Sequence, residues 1–321
     1  NLYNIYMSFK GFLAALATSS TFGLIPLFTL PLMAAGMHFP SILFYRFTIA
    51  ALMLGGILLL KRQSLRVTRR QLWTLAGLSL FYDGSAVFLL WSYHYLASGV
   101  ATTINFLYPV FVMLIMIWVF KEKKSLWTFV ALGLAFGGVA VLSLGGGTGG
   151  HPSPLGILID LCSALSYALY IVWVNRSCVK DLGLLKLNFY IFLFAAAGLL
   201  LIAAGTGQFQ RVPDWRSDVN LTLLALVCTV ASNMTLVYAI KHLGSTRTSV
   251  LGAMESLTAV GVGVWVFGEP FTRTVALGIG LIILAVLTVV LSPWLTPFFR
   301  RFKYFYITEV LGRHKTLKAP R

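Results

Sequence analysis

The sequence carries little charge. Only 11 % of its 321 residues are Asp, Glu, Lys or Arg, whereas 58 % are hydrophobic. A soluble domain typically contains about 25 % charged residues. A chain of this composition cannot cover its surface with groups that water solvates, which excludes an ordinary soluble globular protein.

Cysteine is scarce, and the motifs of metal sites and enzymes are missing. The three cysteines, Cys162, Cys178 and Cys228, fall in or beside apolar stretches, where we expect small buried side chains and no disulfide framework. No His, Cys and Asp residues have the spacing of a metal site, and neither G-x-S-x-G nor H-E-x-x-H occurs. The sequence predicts no metal, no other cofactor and no enzyme activity.

Long apolar stretches make up most of the chain. The hydrocarbon core of a bilayer is about 30 Å thick, and a helix needs about 20 apolar residues to cross it. Within the stretches apolar residues do not alternate with polar ones, which favours helices over the strands of a barrel. We therefore predict an all-α membrane protein with ten transmembrane helices. The predicted spans, numbered 1 to 10, are residues 10–32, 39–60, 71–93, 98–120, 125–144, 154–175, 184–205, 219–240, 245–267 and 272–293.

The positive charge lies between the predicted spans. A net charge of +16 is compatible with a nucleic-acid partner, but the Lys and Arg residues stand in short segments on alternate sides of the predicted membrane. Cytoplasmic loops are enriched in these residues. Of the 25, all but four lie on one side; Arg211, Arg216 and Arg273 lie on the other, and Arg46 lies inside a span. This predicts a multi-pass protein of the inner (plasma) membrane with cytoplasmic N- and C-termini and no nucleic-acid partner.

One phrase of the sequence occurs twice. The letters WVFKE at 118–122 return as WVFGE at 265–269, an offset of 147 residues, and a weaker match at offset 145 pairs Gly11 with Gly156. These matches divide the chain into two repeats of five spans. Because five is odd, the second copy is inverted in the membrane, an architecture typical of alternating access around a midplane site. The predicted segments are 1–9 (cytoplasmic), 10–145 (first repeat), 146–153 (extracytoplasmic linker), 154–293 (second repeat) and 294–321 (basic cytoplasmic tail).

The repeated phrase places a glutamate at the end of a helix in each copy. Glu122 ends its helix on the predicted cytoplasmic side, where lysines surround it, and Glu269 ends its helix on the opposite side. A carboxylate at such a place can interact with the positive N-terminus of a helix. We expect each glutamate to meet the N-terminus of the helix that follows it.

Several further features belong together. They are the two five-span repeats, an arginine early in span 2 (Arg46), a proline in span 4 (Pro109, in FLYPVF) and a glutamate after spans 4 and 9. In these features nearly the whole chain resembles the EamA-domain transporters of the drug/metabolite transporter superfamily. The segment AMESL is similar to the family's usual Glu-Pro pair, but Ser256 follows Glu255 where the family has proline.

The resemblance implies a layout for the spans. Spans 1–4 and 6–9 would surround a central cavity, and spans 5 and 10 would pack behind them. Span 5 contains Gly133 and Gly137, two small residues four positions apart, at which we expect a neighbouring helix to approach closely.

Four ionisable residues fall inside predicted spans: Arg46, Asp83, Asp160 and Glu255. A charge within hydrocarbon costs at least about 2.5–3.5 kcal/mol and usually faces a cavity or a partner. We hypothesise that Arg46 forms an ion pair with Asp83 or Asp160 that forms and breaks during gating; the alternative is a permanent bridge between helices. One arginine cannot balance three carboxylates, so we expect at least one carboxyl to hold a proton or to accept a cationic group of the substrate.

Aromatic and amide side chains accompany these charges. An aromatic wall with a few polar groups suits a partly apolar organic solute, although each aromatic residue alone is compatible with helix packing. Asn105 and Tyr108 flank a predicted turn before Pro109, which would free backbone groups in mid-span. The candidate binding or gating residues besides the four charges are Tyr82, Trp91, Asn105, Tyr108, Tyr167, Tyr170 and Asn233.

These features predict a transporter of a small organic metabolite, such as an amino acid, with proton linkage as an open hypothesis. The family resemblance favours export. No lysine lies in the interior of a predicted span, which disfavours a sugar-phosphate exchanger. Two alternatives remain open: a membrane-embedded binding or sensor protein, and a lipid flippase with the same fold.

Overall fold

The computed structural model of the protein describes residues 2–121, 126–145, 153–179, 181–243 and 251–306. Every regular element in these residues is a helix. The helices are α1 (Leu2–Gly23), α2 (Ile25–Ala34), α3 (Phe39–Leu60), α4 (Arg69–Ser92), α5 (Ser98–Asn105), α6 (Tyr108–Trp118), α7 (Leu126–Gly145), α8 (Pro154–Arg176), α9 (Leu184–Gly205), α10 (Trp215–Ala225), a π-helical turn (Leu226–Ala231), α11 (Ser232–Leu243), α12 (Ala253–Phe267) and α13 (Arg273–Tyr306).

Helices occupy all ten predicted spans. In the described residues, seven helical segments, those of spans 1–4 and 6–8, are long and apolar enough to cross a membrane. Spans 5, 9 and 10 contain shorter apolar helices, Phe129–Val141, Met254–Phe267 and Arg273–Thr288. The prediction of a helical membrane protein is confirmed, while ten crossings stay a prediction. Two helices extend well beyond their predicted spans: α1 begins at Leu2, and α13 ends at Tyr306.

Among the described residues, spans 1, 4 and 8 each depart from a continuous α-helix. Span 1 breaks at Leu24, before Pro26, and span 4 breaks at Phe106 and Leu107, before Pro109. Proline has no N–H to donate to the preceding turn, so it is tolerated in the first turn of a new helix. The turn before Pro109 is the predicted one. The π-helical turn in span 8 was not predicted.

The spans pack in pairs. Span 2 packs on span 7, span 3 on span 6, span 1 on span 8, span 4 on span 9, and span 5 on span 10. Between spans 5 and 10, the predicted close contact at Gly133 and Gly137 is wrong, because a Cβ at either position would meet no atom within 4 Å. The close contact is at Gly138, where a Cβ would lie 2.7 Å from Ile282.

Spans 2 and 7 run antiparallel, and matching hydrogen bonds join their ends. The hydroxyl of Tyr45, early in span 2, donates to the carbonyl of Gln210 beyond the end of span 7, at 3.1 Å. The hydroxyl of Tyr190, early in span 7, donates to the carbonyl of Leu65 beyond the end of span 2, at 2.6 Å. The two tyrosines are 145 residues apart in the sequence, and so are the two acceptor residues.

A second matched pair joins other helices. Thr18 in span 1 donates its hydroxyl to the carbonyl of Ser232 in span 8 at 2.6 Å. Ser163 in span 6 donates its hydroxyl to the carbonyl of Ser85 in span 3 at 2.7 Å. The two donors are 145 residues apart and the two acceptors 147 residues apart, which are the offsets found in the sequence.

Two further features occur in both halves at these offsets. Phe47 and Phe192, 145 residues apart, stack on each other with ring centroids 5.6 Å apart and planes 1° from parallel. The variable residue of the repeated phrase, Lys121 or Gly268, has a positive φ in both copies, 55° and 66°. Each of these residues follows the end of a helix, a common place for the left-handed conformation.

The described surface carries large apolar side chains. Trp118 and Trp265, from the two copies of the repeated phrase, are 72 % and 88 % exposed. Such a surface suits contact with lipid. The three cysteines are free, but Cys178 is exposed, so the expectation of a buried side chain there is wrong.

Candidate substrate-binding site

Four of the predicted aromatic residues form one cluster. Tyr82 of span 3 lies 5.3 Å from Tyr170 and 6.4 Å from Tyr167, both in span 6, measured between ring centroids. Tyr108, at the break of span 4, contacts Tyr167 edge-on at 4.8 Å. The stacked rings of Phe47 and Phe192 continue the cluster, with Tyr82 within 5.7 Å of both. Five spans therefore contribute to one aromatic surface.

Arg46 lies beside this cluster and is 4 % exposed. Its guanidinium carbon lies 5.5 Å from the centroid of the Phe47 ring. Its Nε donates to the Thr229 hydroxyl, in the π-helical turn of span 8, at 2.8 Å. Across the described residues, no carboxylate oxygen lies within 4 Å of Arg46, so the predicted ion pair with Asp83 or Asp160 is absent from this structure.

Asp83 of span 3 is buried. It is 5 % exposed, and its Oδ1 makes no hydrogen bond in the described structure. Its carboxyl group faces Gly198 of span 7, where an added Cβ would lie 3.4 Å from Oδ2.

Asp160 lies between spans 3 and 6 and is fully buried. Its Oδ1 accepts a hydrogen bond from the Ser92 hydroxyl at 3.2 Å, while Oδ2 has no partner among the described residues. One turn along the same helix, the Ser163 hydroxyl lies 2.9 Å from Asn105 Oδ1. Asn105 thus connects the break in span 4 to span 6.

A second polar group surrounds the contact between Arg46 and Thr229. The Asn233 side chain donates to the carbonyl of Thr229 at 2.6 Å. Asn188 of span 7 donates to Asn233 Oδ1 at 3.4 Å. Spans 2, 7 and 8 therefore share one polar cluster, which we call the arginine cluster: Arg46, Thr229, Asn188 and Asn233.

Glu255 and Trp91 stand apart from these clusters. Glu255 is half-buried, and its backbone carbonyl lies where a side chain on Gly23 of span 1 would be. Trp91 is 37 % exposed and stacks on Phe88 at 6.5 Å, outside the aromatic cluster.

Glu269 joins span 9 to a different helix from the one predicted. Its Oε1 accepts hydrogen bonds from the Ser98 amide and hydroxyl, both at 2.7 Å, and its Oε2 accepts one from the Gly99 amide at 3.3 Å. Glu269 therefore caps the N-terminus of span 4 and not that of the following helix. Glu122 lies outside the described residues.

Sequence reasoning did not single out several residues of the site. Thr229, Asn188 and Ser163 are isolated polar residues in apolar helices, and Phe47 and Phe192 are ordinary core residues by type. The offset of 145 that relates the two phenylalanines was the available signal. No comparable signal marks Thr229, because its contact with Arg46 arises only in three dimensions.

Among the described residues, the site combines a buried arginine without a carboxylate partner, carboxyl oxygens without hydrogen bonds and an aromatic wall. Within the described residues, no three His, Cys, Asp or Glu side chains are grouped as a metal site would require.

The fold is that of a polytopic helical membrane protein, with seven helical segments in the described residues that are long and apolar enough to cross a bilayer. Residues 9–144 and 154–291 each match the model of the EamA-like transporter family. The chain therefore belongs to the EamA-like transporter family, and the earlier resemblance is confirmed.

Known proteins of similar sequence are transporters by name. The "Uncharacterized inner membrane transporter YedA" of Escherichia coli K12 is 26 % identical over 271 residues, covering 83 % of this chain and 84 % of its own. The "Uncharacterized transporter YvbV" of Bacillus subtilis is 30 % identical over 202 residues, covering 60 % and 62 %. A crystal structure described only as that of a protein shares the fold, with a TM-score of 0.60 and 19 % identity over 89 % of this chain and 96 % of that one.

Proposed function

We propose that this protein transports small amphipathic organic solutes, such as amino acids, across the inner (plasma) membrane in the direction of export. It does so by alternating access between two inverted repeats of five spans, 10–145 and 154–293, joined by the linker 146–153, with both termini in the cytoplasm. Membership of a transporter family supports transport. The name of the E. coli relative supports the inner membrane.

The matched contacts support the inverted repeats. If two copies are related by a pseudo-two-fold axis in the membrane plane, each contact between the copies has a counterpart with the two roles exchanged. The hydrogen bonds of Tyr45 and Tyr190 are such counterparts, at opposite ends of two antiparallel helices. The same exchange replaces span 3 by span 8 and span 6 by span 1, and the packing of span 3 on span 6 is matched by that of span 8 on span 1.

The observation that carries the substrate proposal is the set of buried charges without partners. A charged group in a low-dielectric site is costly unless something pairs with it. Arg46 has no carboxylate within 4 Å among the described residues, and Asp83 makes no hydrogen bond through Oδ1. A solute with both a carboxylate and an ammonium group would supply both missing partners, and the aromatic cluster would contact its apolar part.

Asp83 offers a route to proton linkage. A carboxyl group that loses its substrate partner can be neutralised by a proton, so that release and protonation alternate. Asp83→Asn removes this titration, and we expect the dependence of transport on pH to flatten. The exposed Asp181, in the loop between spans 6 and 7, provides the control Asp181→Asn.

Flux measurements test the function. The purified protein in proteoliposomes is given a panel of labelled amino acids, amines and neutral metabolites, with and without a pH gradient. We expect flux for a subset of the amphipathic solutes. Binding without flux for every solute contradicts transport, and an unchanged pH profile in Asp83→Asn contradicts the role of Asp83 alone.

A further inference from the structure

The π-helical turn of span 8 lies directly under Arg46. Residues Leu226–Ala231 form this wide turn. The hydroxyls of Thr229 and Ser232 each donate to a carbonyl five residues earlier, Leu224 at 3.2 Å and Val227 at 2.8 Å. Short π-helical turns inside helices occur frequently at functional sites, because they redirect side chains. Here the turn brings Thr229 to the guanidinium of Arg46.

The contact with Thr229 uses only a small part of the arginine. A guanidinium has five N–H donors, and the bond to Thr229 uses the one on Nε. The four donors on the two terminal nitrogens have no hydrogen-bond acceptor among the described residues. Because the Thr229 hydroxyl of span 8 holds Nε, it also fixes the direction of the two terminal nitrogens, which together form a planar fork.

The surroundings select the kind of group that fits this fork. A guanidinium binds a planar carboxylate through two parallel hydrogen bonds. The half-buried amides of Asn188 and Asn233 join the carbonyl of Thr229, the residue that holds Arg46, and the Phe47 ring lies 5.5 Å from the guanidinium carbon. A phosphate dianion would need more positive charge than this single arginine provides. The arginine cluster therefore suits a single carboxylate group on a partly apolar solute.

We propose that Arg46, positioned by Thr229 on the π-helical turn, binds the carboxylate of the transported solute. This rests on the proposed function and deepens it, because it assigns the substrates to the carboxylates. Arg46 is the binding residue, and Thr229 is a positioning residue that acts through Arg46.

Binding to the purified full chain tests the proposal. Thermal stabilisation in detergent is measured for leucine, phenylalanine and phenylacetate, and for the amides leucinamide, phenylalaninamide and phenylacetamide. We expect the carboxylates to stabilise the wild type and the amides to bind roughly 10- to 100-fold more weakly, the range for hydrogen bonds to a charged group. Equal binding of acids and amides, or no response to any carboxylate, overturns the proposal.

Variants distinguish the role of Arg46 from that of Thr229. Arg46→Gln is expected to lose the preference for carboxylates, and Arg46→Lys to keep part of it, since lysine retains the charge without the fork. Thr229→Val is expected to weaken carboxylate binding, and Thr229→Ser to recover most of that loss. Arg70→Gln, at an exposed arginine in the first turn of α4, is the control. Unchanged carboxylate binding in a folded Arg46→Gln overturns the proposal.

Flux distinguishes this proposal from the proposed function. If a neutral solute or an amine is transported equally by the wild type and Arg46→Gln, the carboxylate assignment fails while transport stands. If carboxylates bind as expected but no solute crosses the membrane, the binding role of Arg46 stands while the proposed transport fails.

Discussion

At the scale of single residues, one carboxylate connects the two halves of the chain. Glu269, from the end of span 9, satisfies the amides of Ser98 and Gly99 at the start of span 4. The first amides of a helix have no partner within the helix, and the N-terminus carries a partial positive charge. Glu269 supplies both the hydrogen bonds and the opposite charge, so it stabilises a helix that begins 171 residues earlier in the chain.

Removal of this cap tests its contribution. Glu269→Ala leaves the Ser98 and Gly99 amides without an acceptor, and we expect a loss of about 1–2 kcal/mol of stability. Thermal unfolding of the purified protein in detergent should show a melting temperature lower by a few degrees. Asp181→Ala removes an exposed carboxylate and should leave the melting temperature unchanged. An equal effect of both substitutions would show that the cap adds nothing.

At the scale of the helices, the contacts between spans depend on particular glycines. A Cβ on Gly99 of span 4 would lie 2.7 Å from the Cα of Val260 in span 9. Backbone atoms cannot move aside as a flexible side chain can, so the two helices would have to separate. Gly133 in span 5 has open space around it.

The two glycines form a matched pair of substitutions. Gly99→Ala should destabilise the protein by about 1–3 kcal/mol, the usual effect of overpacking. Gly133→Ala should be neutral or slightly stabilising, since alanine favours the helix by about 0.5–1 kcal/mol. Thermal unfolding and the yield of monodisperse protein measure both. Tolerance of alanine at Gly99 would contradict the close packing of spans 4 and 9.

The sequence predicted the helices better than their contacts. The spans follow from runs of apolar residues, and the break before Pro109 follows from the missing N–H of proline; both are local properties. The close contact at Gly138, the cap formed by Glu269 and the bond between Arg46 and Thr229 join residues from distant parts of the chain. Nothing near Gly138 in the sequence distinguishes it from Gly133 or Gly137, because the choice depends on which face span 10 meets.

At the scale of the whole molecule, the proposed inversion decides which loops share a side of the membrane. Arg66 and Arg211 occupy equivalent positions at the offset of 145, in the loops after spans 2 and 7. Inverted repeats place these two residues on opposite sides of the membrane. They place Arg66 on the same side as Asp181, in the loop after span 6. Repeats of parallel orientation would place Arg66 and Arg211 together.

Labelling of single cysteines measures this arrangement. Arg66→Cys, Asp181→Cys and Arg211→Cys are introduced separately after the three native cysteines are replaced, and whole cells are treated with a membrane-impermeant maleimide. All three wild-type residues are exposed, so access depends on the side of the membrane. We expect labelling of Arg211→Cys alone in intact cells and of all three after permeabilisation. Labelling of Arg66→Cys and Arg211→Cys from the same side would contradict the inverted repeats.

The stacked rings of Phe47 and Phe192 have a consequence for how motion in this molecule can be observed. The inward-open and outward-open forms can arise when each repeat adopts the conformation that the other repeat has in the first form. In that case, each contact between the repeats takes the geometry of its counterpart. The bond from Tyr45 to Gln210 in one form then corresponds to the bond from Tyr190 to Leu65 in the other, so the lengths of these bonds distinguish the forms. Phe47 and Phe192 occupy equivalent positions in the two repeats. The contact between them is therefore its own counterpart and has the same geometry in both forms. A pair of labels that reports the distance between positions 47 and 192 would therefore give the same distance in both end states. That distance would serve as an internal reference for label pairs at other positions.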